Sequence, residues 1–300
     1  MGASREFRAM ACPCRIQVFH ADAAHARQVC ERMRDEVLRI EAKYSRYRND
    51  SVLSRINRSA GDERGVVVDD ETAALLDYAA AAWRESDGKF DPTAGVLRRV
   101  WNFRDRIVPA AEAVSALLPN IGWQRLHWQR PRLSLPLPGM ELDFGGFGKE
   151  YAADSAAGIG LQAGIVSGIV DLGGDVRLLG PQPDGRAWRI GIRDPAQATR
   201  AIASLALERG AIATSGDYER SFEFRGQRYS HLLDPHDGWP VQGYASVSVL
   251  AGQCLIAGTA TTTALLKGIE DGRKWLESLG LPWLAVHPDG RIERGNAPVI

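Results

Sequence analysis

Two stretches of this chain gather the residue types of acid–base and group-transfer chemistry. Thr214-Ser215-Gly216-Asp217-Tyr218-Glu219-Arg220 is followed by Ser230-His231-Leu232-Leu233-Asp234-Pro235, so a histidine, a carboxylate, hydroxyls and a flexible glycine lie close in the chain. The Asp234-Pro235 pair forces an extended residue into a turn. His231 is therefore expected near a strand end, where a side chain can face a ligand. An imidazole titrates nearest the working pH, so His231 suits a general base or a group that orients a hydroxyl. Asp234 is placed to orient it in turn. A single histidine on an apolar strand also reads as a satisfied core residue, and only its neighbours favour the chemical reading.

A third stretch, Leu142-Asp143-Phe144-Gly145-Gly146-Phe147-Gly148-Lys149-Glu150-Tyr151, carries three glycines into a helix pattern. Backbone N–H groups in such a turn approach a phosphate closely, and Lys149 can add a charge. The spacing is neither that of a P-loop nor that of the dinucleotide fingerprint, and an ordinary strand-to-helix turn with a solvated lysine fits it too.

The elements that must hold these residues are legible by period. Arg15 to Phe19 alternates as a strand, and Ala24 to Ala42 is amphipathic with Val29, Met33, Val37, Leu38 and Ile40 on one face. A helix from Asp70 to Ser86 is capped by Asp69 or Asp70 and ended by Gly88. Residues 109–138 read as irregular strands and turns, Lys149 to Leu161 as a helix, and Ile165 to Asp171 as a buried strand turned by Gly173-Gly174. Strands follow at 187–192, 201–207, 211–215, 220–224, 229–233 and 245–251, then helices at 259–266 and 273–279. Strands and helices do not alternate regularly, which predicts an α+β fold rather than a doubly wound sheet.

Three hundred residues that are 45% hydrophobic can bury a large core, as one domain over 1–300 or as two intimate lobes. Lys+Arg 37 balance Asp+Glu 37, so no global charge pulls toward nucleic acid or an anionic membrane. Cys12, Cys14, Cys30 and Cys254 have neither zinc-ribbon nor redox-pair spacing and read as reduced thiols. The histidines are scattered without ligand spacing. No signal-peptide pattern or spanning segment is visible, and a soluble, cytoplasmic protein is expected.

Taken in order, from about residue 10 to 268, these fragments resemble the ApbE-type flavin transferases, the FAD:protein FMN transferases. Asp143, Gly146, Lys149, Tyr151, Ala152 and Asp154 match that family's glycine-rich run, while Gly148 and Glu150 stand where it usually has Ala and Gly. Phe90-Asp91-Pro92-Thr93 resembles its Asp-Pro-Thr segment, and Ser45, Ser51 and Asn57 fit its upstream Ser…Ser…Asn loosely. Gly173-Gly174-Asp175, Ser215-Gly216-x-Tyr218 and His231-x-x-Asp234-Pro235-x-x-Gly238-x-Pro240 resemble three further segments. Ala9-Met10-Ala11-Cys12 is similar to its opening strand.

The resemblance implies an α+β fold of mixed or antiparallel sheets with packed helices, in T-fold-like lobes. It implies transfer of the FMN part of FAD to a Thr or Ser hydroxyl of a partner flavoprotein, with AMP released. His231 and Asp234 would be catalytic. Asp91, Thr93, Gly146, Lys149, Gly173, Gly174, Ser215, Gly216 and Tyr218 would bind FAD, with the glycines of 173–174 letting a ring press on backbone. Tyr218 and Tyr229 would either stack on a flavin or adenine or pack in the core. Mg²⁺ would sit near Gly148 and Thr262. One departure matters: Ala257-Gly258-Thr259-Ala260-Thr261-Thr262 keeps the family's Thr but has Gly258 in place of its metal-binding Asp. A hard cation prefers charged oxygens, so Mg²⁺ binding should weaken unless Glu150 returns a carboxylate. Two other functions stay open: hydrolysis of the FAD pyrophosphate, and FAD binding without catalysis.

Overall fold

The computed structural model describes residues 1–197, 199–217 and 220–296. The chain opens with an antiparallel hairpin of β1 (Gly2–Ala9) and β2 (Cys12–Phe19). Its turn residues, Met10 and Ala11, have φ of 50° and 60°. A two-residue hairpin turn demands this left-handed geometry and usually takes it from Asn-Gly. The expected strand across 9–12 is therefore a turn, and the strand expected from Arg15 already begins at Cys12.

α1 (Ala23–Tyr44) starts where the Asp22 carboxylate accepts the Ala24 N–H at 2.7 Å, and buries Ala26, Val29, Cys30, Met33, Val37, Ile40 and Tyr44 on one stripe. A short α2 (Val52–Arg58), capped by Ser51, precedes β3 (Val66–Val67) and α3 (Asp70–Glu85), capped by Asp69. A 3₁₀ turn over Pro92–Arg99 and α4 (Ala111–Ser115) lead to β4 (His127–Gln129) and β5 (Arg132–Ser134), which pair with β3 in the order β3-β5-β4.

α5 (Gly148–Gln162) is followed by β6 (Ser167–Leu172) and β7 (Asp175–Gly180), joined by Gly173 and Gly174 at φ of 67° and 99°. β8 (Trp188–Arg193) and β9 (Ala201–Leu207) form a separate ribbon. β10 (Gly210–Gly216), the hairpin β11 (Ser221–Phe224) and β12 (Gln227–Ser230), and β13 (Ser246–Ala251) come next. α6 (Cys254–Ser278), β14 (Trp283–Val286) and β15 (Ile292–Gly295) complete the described chain. The two helices expected at 259–266 and 273–279 are the arms of α6, which meet at Gly268 with φ 76° and ψ −168°.

The central sheet has eight strands in the order β1-β2-β6-β7-β10-β13-β14-β15, antiparallel at every pairing. α1, α5 and α6 cover one face, with α5 between the other two. Alternation along β10 separates the faces: Ala211 and Ala213 enter the cores under the helices, while Ile212 joins Val176, Leu178 and Ile192 beneath the β8–β9 ribbon. The fold is α+β with antiparallel sheets, as expected. Among the described residues no helix is long and apolar enough to cross a membrane.

Candidate active site

Where β10 ends, beside the start of α5, a cavity of about 450 Å³ opens, within the size range of small-molecule and cofactor pockets. Thr214, Ser215 and Gly216 reach it from β10, and His231 from just past the end of β12. Asp91, Gly95 and Arg98 enter from the 3₁₀ segment, Asp143 to Glu150 from the glycine-rich loop and α5, and Thr262 from α6. Met10 and Ala11 of the strained hairpin turn, with Arg46 and Tyr47 after α1, form the remaining wall. The sequence-derived residues Asp91, Gly146, Gly148, Lys149, Ser215, Gly216, His231 and Thr262 thus meet in one place. Tyr218 lies outside the described residues.

His231 is enclosed, and its Nδ1 has no hydrogen-bond partner among the described residues. Burial, reinforced by the nearby Arg98 and Arg220 guanidiniums, pulls its pKa down to about 4. The ring is consequently neutral at pH 7, with a buried Nδ1 that lacks a hydrogen-bond partner among the described residues. The expected His231–Asp234 pair does not form. Asp234 folds back onto its own turn, accepting Lys89 Nζ at 2.5 Å and the His236 N–H at 3.0 Å, while its backbone N–H donates to Trp239.

Three other expected groups, Thr93, Gly173 with Gly174, and Tyr229, stand off the cavity lining. Thr93 is fully buried: its hydroxyl donates to Asp91 Oδ1 at 2.6 Å and accepts the Gly122 N–H at 2.7 Å. Asp91 also accepts the N–H groups of Thr93 and Trp123, and burial raises its pKa. This pair ties down the loop, leaving only Asp91 on the cavity wall. Gly173 and Gly174 make the β6–β7 turn away from the cavity, with the Cys12 side chain against Gly173. Their following residue is the one that counts, because the buried Asp175 carboxylate pairs with the Lys149 ammonium. Tyr229 packs on Phe222 and Trp101 in a satellite core, with ring centroids 5.5 and 5.9 Å away.

Sequence reasoning missed the arginines. Arg46 and Arg98 both reach Asp143 Oδ2, at 3.1 and 3.2 Å, and Arg220 lies on the same wall. Asn57 positions Asp143 by bracketing the preceding residue, donating to Leu142 O at 2.9 Å and accepting the Leu142 N–H at 2.8 Å. Lone arginines carry no spacing signal, but their convergence suits a phosphate diester. At the start of α5 no side chain caps the helix, so Gly146, Gly148 and Lys149 stand where a helix N-terminus favours an anion. Tyr47, 82% exposed, presents a ring at the rim of the cavity.

The hard oxygen donors are grouped on the α6 side. Ser215 Oγ lies 2.8 Å from Thr261 Oγ1 and 3.2 Å from Thr262 Oγ1. Beside them the buried Glu150 side chain fills the space next to Gly258, where an added Cβ would stand 2.5 Å from Glu150 Cγ. Among the described residues no group of three or more His, Cys, Asp or Glu side chains could hold a metal. Mg²⁺, however, keeps several waters and binds through one or two carboxylates and substrate phosphates. Glu150, Thr262 and Ser215 fit that requirement.

A family model described as the ApbE family matches residues 10–284. The chain belongs to the ApbE family. It is 33% identical over 273 residues to a FAD:protein FMN transferase of Vibrio cholerae serotype O1, covering 89% of this chain and 80% of that protein. A FAD:protein FMN transferase of Treponema pallidum is 31% identical, with 96% and 84% covered. Among solved structures, the ApbE protein of Thermotoga maritima superposes with a TM-score of 0.90 at 33% identity, covering 98% of this chain and 97% of that one. The flavin transferase ApbE of Vibrio cholerae gives 0.86 at 27% identity, with 99% and 97% covered.

Proposed function

We propose that this ApbE-family chain is a FAD:protein FMN transferase, which moves FMN from FAD onto a Thr or Ser hydroxyl of a partner flavoprotein and releases AMP. The observation that carries the reading is a neutral His231, unpartnered at Nδ1 among the described residues, in a cavity that Arg46, Arg98, Lys149 and Arg220 also line. The names of the relatives support the same activity.

In the reaction the acceptor oxygen forms a bond to the FMN phosphorus and the pyrophosphate P–O bond to AMP breaks. AMP leaves with the bridging oxygen. His231 takes or orients the hydroxyl proton, and a bound pyrophosphate reverses the repulsion from Arg98 and Arg220, raising the basicity of the ring. The arginines and Lys149 neutralise charge that the leaving phosphate develops. The cavity walls from β10 and the glycine-rich loop hold the flavin end in line with the attacking hydroxyl. Glu150, Thr262 and Ser215 would hold Mg²⁺, which supplies Lewis-acid charge to the pyrophosphate when bound.

The test is AMP release from FAD by the purified chain, with and without a domain carrying a Ser/Thr flavinylation site. AMP release that depends on this acceptor supports transfer. Equal release without the acceptor assigns FAD hydrolysis instead, and FAD binding with no AMP assigns a binding protein.

A further inference from the structure

One carboxylate sets the register between α5 and α6. Asp154 of α5 accepts the backbone N–H groups of Cys254 and Leu255, at 2.9 and 2.8 Å, and so fastens its helix to the start of α6. Glu150 lies one turn back from Asp154, and Gly258 lies one turn forward from Cys254. The helices therefore approach with opposite chain directions, and Glu150 faces Gly258. A Cβ on residue 258 would meet Glu150 Cγ at 2.5 Å and Oε1 at 2.8 Å. A side chain at 258 would force the Glu150 side chain out of the place it holds.

We infer that Glu150 is the carboxylate of the Mg²⁺ site in this chain, supplied from α5 in place of the aspartate that the family pattern carries on α6 at position 258. The inference rests on the proposed transfer, whose pyrophosphate substrate calls for the cation. Both departures from the pattern, glycine at 258 and glutamate at 150, then form one exchange that leaves a carboxylate in the cavity Thr262 lines. Thr262 lies one turn beyond Gly258 and lines the same cavity as Glu150. Glu150 is 6% exposed, and its Oε1 pairs with the Lys149 ammonium at 3.8 Å on the wall of that cavity.

The experiment is a Mn²⁺ titration of the full chain followed by electron paramagnetic resonance, with FAD present, on the wild type, E150Q and the exchange variant E150G/G258D. E150Q keeps shape and removes charge, and it should bind Mn²⁺ about tenfold or more weakly. The exchange variant should recover most of that loss, which a merely space-filling glutamate would not allow. Wild-type Mn²⁺ affinity in E150Q overturns the inference, as does a wild type that binds no Mn²⁺ beside FAD. AMP release read on the same samples separates the two claims. A wild type that releases AMP while E150Q keeps its Mn²⁺ affinity loses only this inference. A wild type that releases no AMP while E150Q loses Mn²⁺ binding retains the inference and loses the transfer.

Discussion

With its Nδ1 unbonded and its pKa near 4, His231 is neutral through the physiological range. The folded state resists protonating it below the ordinary histidine pKa of about 6.5, whereas the unfolded chain does not. Stability present above about pH 6.5 is therefore lost as pH falls toward 4, by an amount on the order of 3 kcal/mol. H231N should flatten that stretch of the stability–pH curve, as measured by urea midpoints. An unchanged slope would mean that another group titrates there. The same scale holds the cysteine pair: a hydrogen bond from Cys14, with Lys149 nearby, brings the Cys12 thiol down to about 7, and Cys14 is raised. Iodoacetamide at pH 7.5 should label Cys12 well ahead of Cys14, as read by peptide mass. His231 was legible because a turn dipeptide and neighbouring segments surround it, whereas nothing in the sequence announced that Asp234 would be spent on Lys89.

At the scale of elements, α5 and α6 decide where the oxygen donors stand. D154A removes the carboxylate that accepts two N–H groups at the start of α6, and should cost about 1–2 kcal/mol of stability. Mn²⁺ affinity should fall with it, because Glu150 and Thr262 lose their register. G268A forces a residue with a Cβ into φ 76° and ψ −168°, a region open essentially to glycine, and should cost about 1–3 kcal/mol by chemical denaturation. Elements with clear period and caps, such as α1 and α3, were legible in the sequence, and α5 was legible from the glycine-rich turn that enters it. β1, α2, β7, β14 and β15 were not. Met10-Ala11 carries no turn signal for the first hairpin, and β7 follows its glycine turn with a mixed Asp-Val-Arg-Leu-Leu run. Gly268 read as a gap between helices because a glycine with positive φ ends most of them.

On the scale of the molecule, a chain with no net charge lines one cavity with Arg46, Lys89, Arg98, Lys149 and Arg220, interleaved with Glu41, Asp91, Asp143 and Glu150. That cavity draws its walls from the first hairpin, the 3₁₀ segment, β10 and both central helices, so a ligand there braces distant parts of the chain. FAD, as a ligand of the folded state alone, should add about 2.7 kcal/mol of stability at a hundredfold excess over Kd and so raise the melting temperature. The measurement that bears most directly on the account is the intact mass of an acceptor flavoprotein domain after incubation with this protein, FAD and Mg²⁺. The account predicts a gain of one FMN less one water on a Thr or Ser, matched by AMP, and its loss with H231A while FAD still binds. An acceptor that stays unmodified while AMP accumulates, or the same gain with H231A, would contradict it.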